Sequence, residues 1–220
     1  MTLNITREEV ALPPDQRDHL AFLLHNVLSA EECEDYIKWT EERGYTKALL
    51  SVGGGRQKLD PHVCNSDHCI IDSPEEANKL WQRIRAYVPT RWMGCPVKGL
   101  NERLRFLRYD AGQFFKPHMD AQYVAESGKQ SYITLLIYLN EGFEGGHTIF
   151  LPQHETKSKE GRHIVHHLPA PQVVPVTGSA LIFQHDLLNE ESVVTSGRKY
   201  AVRTDVMYAA GLPMRIKVRT

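Results

Sequence analysis

The sequence predicts a mainly β protein with helices (α+β), with a double-stranded β-helix, or jelly-roll, core and N-terminal helices packed on one sheet. Two observations carry this prediction. The first half contains two segments with helix-capping residues, and from about residue 100 short apolar or alternating segments follow one another between turn residues. Two helices followed by about six to eight strands are typical of a sheet sandwich or jelly roll with helices on one outer face.

Capping residues delimit the two predicted helices. Ser29 precedes the first helix, Glu32 is at the capping-box position and Gly44 lies near the end of the segment. Ser73 precedes the second helix and Pro89 stops it. An apolar segment before Ser29 predicts a strand that leads into the first helix.

The second half of the chain has the pattern of strands. Its apolar or alternating segments are RLRFLRY, GQFFKPHMDAQY, SYITLLIYLN, GGHTIFLP, QVVPVTGSALIFQ and KYAVRTDVMY. No repeat or long linker interrupts them, and 220 residues suit one domain. We therefore expect a single domain over residues 1–220, in which residues 1–99 are a helical support and loop region and residues 100–210 form the jelly-roll core.

Composition and charge limit the partners. The formal net charge is -1, which leaves no excess of basic residues for the phosphate contacts of nucleic-acid binding. The N-terminal segment lacks a basic region followed by an apolar one, and no apolar run is long enough to cross a bilayer. Four cysteines do not form the pattern of a secreted disulfide framework. We expect an intracellular, cytoplasmic or also nuclear, protein that binds neither nucleic acid nor membrane.

His118 and Asp120 form the first candidate metal site. They are two residues apart in a segment predicted to be extended, so both side chains point to the same face. One strand end can then offer an imidazole nitrogen and a carboxylate oxygen to one cation. The facial triad of Fe(II) oxygenases has two histidines and one carboxylate, so a further histidine must come from elsewhere in the fold.

The last predicted strand places two cations on one face. Residues 200, 202, 204, 206 and 208 form an apolar face, while Lys199 and Arg203 lie on the other. Burying two cations is costly without an anion. A dicarboxylate co-substrate would supply that anion. Alternatively, Lys199 sits in water at the strand mouth and Arg203 pairs with Asp205 or another acid.

Several of these motifs, in this order, resemble the prolyl 4-hydroxylase-like branch of the Fe(II)/2-oxoglutarate dioxygenases. The resemblance is close over NERLRFLRYDAGQFFKPHMD, TLLIYLNEGFEGGHTIFLP, PVTGSALIFQH and GRKYAVRTDVMY, and looser in the first half. It implies Fe(II) and 2-oxoglutarate as cofactors, with Tyr109 and Tyr138 beside 2-oxoglutarate and Lys199 or Arg203 as its basic anchor. Tyr109 and Tyr138 are otherwise core aromatic residues with satisfied hydroxyls.

The resemblance also implies the reaction. The enzyme would use O2 to hydroxylate an unactivated carbon of a peptide, protein or small-molecule substrate, such as a peptidyl prolyl residue, with ascorbate as a reductant. The oxidising chemistry belongs to the metal and co-substrate, so no general acid or base is expected beyond the metal site.

The third metal ligand departs from the family pattern. The second metal histidine of the family precedes the basic anchor by about ten residues, and counting back from Lys199 leads to Asn189, while His185 lies four residues earlier. His185 completes the site in one interpretation, because imidazole is a better ligand for Fe(II) than a neutral amide. Asn189 binds weakly through its carbonyl oxygen in a second. In a third, the iron site is degenerate and the chain is a catalytically inactive jelly-roll binding module.

Overall fold

The computed structural model describes residues 4–51, 56–153, 156–157, 163–164 and 170–210. In this part of the chain there are two α-helices, α1 (Ala30–Arg43) and α2 (Pro74–Ile84), and one turn of 3-10 helix over Pro14–Gln16. All other regular structure in the described residues is β-strand, and every pairing of these strands is antiparallel. The predicted mainly β fold with two helices is confirmed.

Twenty strands are described, and most of them are short. In chain order they are β1 (Thr6–Glu9), β2 (Ala21–His25), β3 (Thr46–Lys47), β4 (Leu50–Ser51), β5 (Gln57–Lys58), β6 (Asp67–Asp72), β7 (Arg91–Trp92), β8 (Cys95–Leu100), β9 (Arg103–Asp110), β10 (Phe115–His118), β11 (Gln130–Tyr138), β12 (Glu144–Gly145), β13 (Thr148–Phe150), β14 (Thr156–Lys157), β15 (His163–Ile164), β16 (Gln172–Val173), β17 (Ala180–Gln184), β18 (Asn189–Glu191), β19 (Val194–Ser196) and β20 (Arg198–Tyr208).

Two sheets build the body of the protein. The main sheet has the order β1-β2-β17-β11-β20-β9-β6-β3, with β8 also paired to β20 and β7 to β8. The small sheet has the order β10-β18-β13-β16. Strands β1, β2, β3 and β6 come from the first 99 residues, so this part of the chain supplies edge and inner strands of the main sheet as well as the helices.

The helices begin where the capping residues predict. The Ser29 side chain accepts a hydrogen bond from the backbone N–H of Glu32, whose carboxylate accepts the backbone N–H of Ser29, which completes a capping box. Gly44 ends α1 with φ at 83°, a left-handed conformation that glycine adopts without steric cost. The Ser73 side chain caps α2, which ends at Ile84, five residues before Pro89.

The main sheet is buried on both faces, and β11 shows this most clearly. Ile133, Leu135 and Ile137 pack in the core that includes helix residues such as Leu80. Leu136 and Tyr138 belong to the core between the two sheets, with Phe150 of the small sheet and Ala201 of β20. Alternate residues of a strand face opposite sides, so a doubly covered strand is apolar throughout, as SYITLLIYLN is.

The fold brings the candidate site residues to the space between the sheets. The small sheet carries His118 at the end of β10 and Asn189 in β18, and the main sheet carries Tyr138, Lys199 and Arg203. Neither helix in the described residues is long and apolar enough to cross a membrane.

Candidate metal and co-substrate site

The imidazole of His118 is held in one orientation at the end of β10. Its ring stacks on Phe115, with centroids 3.5 Å apart and the planes 9° from parallel. Nδ1 lies 2.8 Å from the carbonyl oxygen of Lys116. A carbonyl only accepts hydrogen bonds, so Nδ1 carries a proton. When the ring is neutral, Nε2 is then the nitrogen whose lone pair can bind a metal.

The Nε2 atom of His118 faces the carboxylate of Asp120. Its Nε2 lies 3.7 Å from Oδ1 of Asp120, beyond hydrogen-bonding distance. The hydroxyl of Thr134 donates to the other carboxylate oxygen at 2.5 Å. Burial opposes ionisation of Asp120, but the positive charge of Arg203 holds its pKa below the ordinary value. The pair therefore consists of a lone-pair nitrogen and a carboxylate oxygen, both of which bind cations.

Arg203 connects this pair to a second one. One guanidinium nitrogen, Nη2, lies 3.2 Å from Oδ1 of Asp120 and 3.3 Å from Oδ1 of Asp205. His185 follows, with Nε2 3.6 Å from the same oxygen of Asp205. The two histidines thus flank a row of carboxylate, guanidinium and carboxylate. The structure agrees with the alternative in which Arg203 pairs with Asp205 or another acid.

His185 is buried without hydrogen bonds from its ring. It is 6% exposed, and neither ring nitrogen has a hydrogen-bond partner within the described part of the chain. Its Nε2 faces the carboxylate of Asp205 at 3.6 Å, and its carbonyl accepts the N–H of Asp120 at 2.9 Å. Nδ1 is a buried polar nitrogen without a partner in the described residues, which is unfavourable and requires an explanation, such as water or an ion.

Asn189, which the spacing to Lys199 places at the family's ligand position, lies directly opposite His118. The two residues are partners in the antiparallel pair of β10 and β18. Asn189 is 2% exposed, and its Nδ2 donates to the carbonyls of Leu187 at 3.0 Å and His118 at 3.3 Å. Its amide therefore ties the two strand ends together in place of an imidazole.

The donor chemistry fits a divalent cation at His118 and Asp120. At bond lengths of about 2.1 Å, two ligand atoms of one ion lie about 3.0 Å apart when they are adjacent, as in a facial triad, and at most about 4.2 Å apart. The two atoms lie 3.7 Å apart, so a small approach would bring them to the adjacent geometry. No group of three His, Cys, Asp or Glu side chains suited to a metal ion converges among the residues that the structure describes. Two donor atoms thus suit one cation, and a third ligand would have to come from His185 or Asn189.

Lys199 is buried in a second polar cluster beside this one. It is 1% exposed, so the alternative of a lysine in water does not hold. Its ammonium donates to the carbonyl of Gly146 at 2.6 Å and to the carboxylate of Glu191. It lies 5.3 Å from the ring centroid of Tyr109 and 5.4 Å from that of Tyr138. The structure thus brings together three of the four residues expected at 2-oxoglutarate.

Glu191 is the member of this cluster that sequence reasoning missed. The Thr148 hydroxyl donates to its carboxylate at 2.8 Å. That hydroxyl lies 2.8 Å from the hydroxyl of Tyr138, which must then be the donor, because Thr148 has only one proton. Burial first, and then the charge of Glu191, raise the pKa of Tyr138 well above its ordinary value, so this phenol keeps its proton. Strand alternation in NEE is the signal that could have placed Glu191 on the same face as Asn189.

A cleft opens beside Asp120 and His185. Its volume is about 650 Å³, and its lining includes Trp92, Met119 and Tyr132. The cleft offers an apolar and aromatic wall next to the candidate metal ligands. Its size suits a side chain or small molecule.

Comparison with known proteins shows which family the second half of the chain resembles. Residues 104–204 match the sequence profile of the 2OG-Fe(II) oxygenase superfamily. The match covers every candidate site residue. Over these residues the chain is similar to this superfamily, and the relatives described next are prolyl 4-hydroxylases. The family is in general dependent on Fe(II) and 2-oxoglutarate, here abbreviated 2OG.

The curated relatives of this chain are named as prolyl 4-hydroxylases. The chain is 34% identical over 165 residues to prolyl 4-hydroxylase 13 of Arabidopsis thaliana, covering 74% of this chain and 58% of the relative. It is 30% identical over 137 residues to probable prolyl 4-hydroxylase 8 of the same plant, covering 59% and 44%. The chain spans about half the length of the first curated relatives it matches.

Solved structures confirm the jelly-roll fold. A prolyl hydroxylase from Trichoplax adhaerens, solved with a peptide fragment of the hypoxia inducible factor oxygen degradation domain, matches with a TM-score of 0.61 at 14% identity, over 87% of this chain and 85% of that one. The 2OG complex of the viral collagen prolyl hydroxylase from Paramecium Bursaria Chlorella virus-1 matches with a TM-score of 0.56 at 19% identity, over 90% and 100%. At these identities the likeness concerns the fold alone.

Proposed function

We propose that this chain is an Fe(II)- and 2-oxoglutarate-dependent dioxygenase that hydroxylates an unactivated carbon, such as one in a peptidyl prolyl residue. The observation that carries the proposal is the facing pair of Nε2 of His118 and Oδ1 of Asp120, 3.7 Å apart. Both atoms are lone-pair donors, and they lie in a chain whose family uses iron. The adjoining cleft gives a substrate carbon access to Asp120.

The proposed metal ligands are His118, Asp120 and His185, with Asn189 as the alternative third ligand. Two ring nitrogens without hydrogen-bond partners among the described residues favour His185, whereas the position opposite His118 favours Asn189. Bound Fe(II) with 2OG would supply the oxidising chemistry, using O2. The chain's own residues hold the ligands: the Lys116 carbonyl fixes the His118 tautomer, and the Thr134 hydroxyl fixes Asp120.

The proposed co-substrate site comprises Tyr109, Tyr138, Lys199 and Arg203. Lys199 is the better anchor for the distal carboxylate, because it contacts one internal carboxylate, that of Glu191, whereas the guanidinium of Arg203 contacts those of Asp120 and Asp205. The ammonium of Lys199 lies against two aromatic rings in a buried pocket. Low exposure strengthens its attraction for a carboxylate.

A peptide or protein is the proposed substrate, with a small molecule as the alternative. Met93 and Met119, which are 81% and 56% exposed, contribute to the lining of the cleft. They offer flexible apolar contacts to an extended chain. We further propose ascorbate as reductant. An intracellular location, cytoplasmic or nuclear, agrees with four buried cysteines that form no disulfide.

An anaerobic titration tests the proposal. Fe(II) with 2OG should give a weak visible charge-transfer band, and admission of O2 should then produce succinate. His118→Ala should abolish both signals, whereas the matched variant His147→Ala, whose imidazole instead contacts Gln172 in the small sheet, should keep them. If folded protein gives neither band nor succinate, the proposal fails.

The second candidate function is a non-catalytic jelly-roll binding module with a degenerate iron site. Asn189 favours it, since an amide bonded to two backbone carbonyls stands at the expected ligand position. The same titration separates the two functions, because a binding module would remain folded and give no band at any iron concentration.

A further inference from the structure

Glu191 lies in the pocket of Lys199 because of its place in β18. Side chains alternate along this strand, so Asn189 and Glu191 share the buried face while Glu190 points the other way. Glu191 is paired across the strands with Thr148 of β13 on one side and Phe115 of β10 on the other. Glu191 is 7% exposed, so its carboxylate lies inside the pocket in this structure.

The pocket is closed tightly around this carboxylate. Lys199 and the hydroxyl of Thr148 bind one oxygen each, and the Tyr138 hydroxyl supports Thr148. A Cβ on Gly146 would lie 3.2 Å from Cδ of Lys199 and 3.0 Å from Cγ2 of Val194. Only glycine leaves room for the lysine stem here.

These donors are the groups that a carboxylate ligand needs. An ammonium and a hydroxyl relay bind one carboxylate, two aromatic rings lie beside the ammonium, and that carboxylate belongs to the chain itself. A second carboxylate at Lys199 would face the charge of Glu191 in a buried site, where like charges repel strongly. A dicarboxylate must therefore displace Glu191 before it can bind Lys199.

We propose that Glu191 is an internal competitor that occupies the position of the distal carboxylate of 2-oxoglutarate and so weakens co-substrate binding. This inference rests on the proposed function only for the identity of the ligand. Removal of the Glu191 charge leaves Lys199 as a buried cation available to an external carboxylate. Glu191 thus determines the affinity of this chain for its co-substrate.

Thermal unfolding in the presence of a chelator tests the competition without metal, O2 or turnover. The probes are 2-oxoglutarate and glutarate, which lacks the 2-oxo group and can bind only through its carboxylates. In Glu191→Ala, both probes should raise Tm by about 5 °C or more at saturating concentration. Wild type and the matched variant Glu190→Ala should shift by less than about 1 °C at the same concentrations, which corresponds to an affinity at least tenfold weaker.

Two further variants separate loss of the Glu191 charge from misfolding and from binding elsewhere. Glu191→Gln preserves the volume and serves where the alanine variant does not fold, and it should show the same gain. Lys199→Met in the Glu191→Ala background should remove the gain. The inference is overturned if metal-free wild type binds the probes as tightly as the variants, or if folded Glu191→Ala and Glu191→Gln bind neither. Failure of the iron titration described above leaves this readout intact, so the two failures are distinguishable.

Discussion

Asn189→His should convert the site opposite His118 into a tighter metal site. The cross-strand pairing of these two residues places their β-carbons about 4.5–5.5 Å apart on one face of the small sheet. An imidazole at this position can therefore reach the same cation as Nε2 of His118. A neutral amide is a poorer ligand for Fe(II) than imidazole.

The expected effect has two parts, a gain in affinity for Fe(II) and a loss of stability without metal. Loss of an outer-shell partner changes metal affinity about 10–100-fold, so an imidazole in place of an amide in direct contact with the ion should gain at least that much. Without metal the variant should be less stable by about 4 kcal/mol. About 1 kcal/mol is lost with each of the two hydrogen bonds from Nδ2, and about 2 kcal/mol with the larger ring in a packed site. Tm should then fall by about 8–16 °C.

Anaerobic Fe(II) titration by calorimetry measures the first part, and thermal unfolding with and without Fe(II) measures the second. Glu190→His is the matched control, because it puts a histidine on the opposite face of β18. The reasoning is refuted if Asn189→His binds Fe(II) no more tightly than wild type, or if Glu190→His gains as much. A lower Tm that Fe(II) does not raise would show that the new ring is merely overpacked.

Three other variants test the surroundings of the site. His185→Ala should abolish Fe(II) binding in the same titration if His185 is the third ligand, and an unchanged affinity would exclude His185 from that role. Arg203→Met should lower Tm by about 6–20 °C, because removing one partner of buried ion pairs costs about 3–5 kcal/mol, and a shift below about 2 °C would contradict this. Hydrogen bonding to Arg83 lowers the pKa of Glu32 from 4.5 to about 2, so the pair contributes stability above pH 4.5 that is lost as the pH falls towards 2. Glu32→Gln should remove about 1–3 kcal/mol of this dependence, seen as a flatter plot of Tm against pH between 5 and 2, and an unchanged slope would contradict it.

Much of the fold follows from local patterns in the sequence. The capping box of Ser29 and Glu32 needs only four consecutive residues, so it can be predicted without knowledge of the tertiary structure. The parity of β20 is also local, and it separates Val202 and Val206, which pack toward the helices, from Ala201 between the sheets. Lys199 and Arg203 consequently lie on the face that the alternation predicts.

The role of the first 99 residues could be predicted only in part. Residues 21–25 are an evident apolar strand, but their pairing with β17 depends on a partner more than 150 residues away. Strand β6 contains Asp67, His68 and Asp72 and does not stand out in composition, yet it pairs with β9 over six residues. Such pairings arise from long-range packing, which a local pattern does not encode.

The candidate site shows the same limit more sharply. The spacing to Lys199 places Asn189 at the family's ligand position, because this spacing is local information, whereas the pairing of Asn189 with His118 depends on the strand register. The pairing of Glu191 with Lys199 and the contact of Arg203 with Asp120 depend on which strands face each other across the interior. The segment that contains Gly53–Gly55, and most of the polar histidine-rich segment after Gln153, lie outside the described residues.

The charges of the site are already neutralised by the chain itself, which decides how a ligand can bind. Asp120 has Arg203 at 3.2 Å, and Lys199 has the carboxylate of Glu191. An external cation at Asp120 replaces or shares a guanidinium, and an external carboxylate at Lys199 replaces a glutamate. The net free energy is therefore the difference between two pairings in the same low-dielectric interior, and it is smaller than either pairing alone. For this reason the number of donors around the site does not predict its affinity for an external ligand. Variants that delete the internal partner measure that affinity directly.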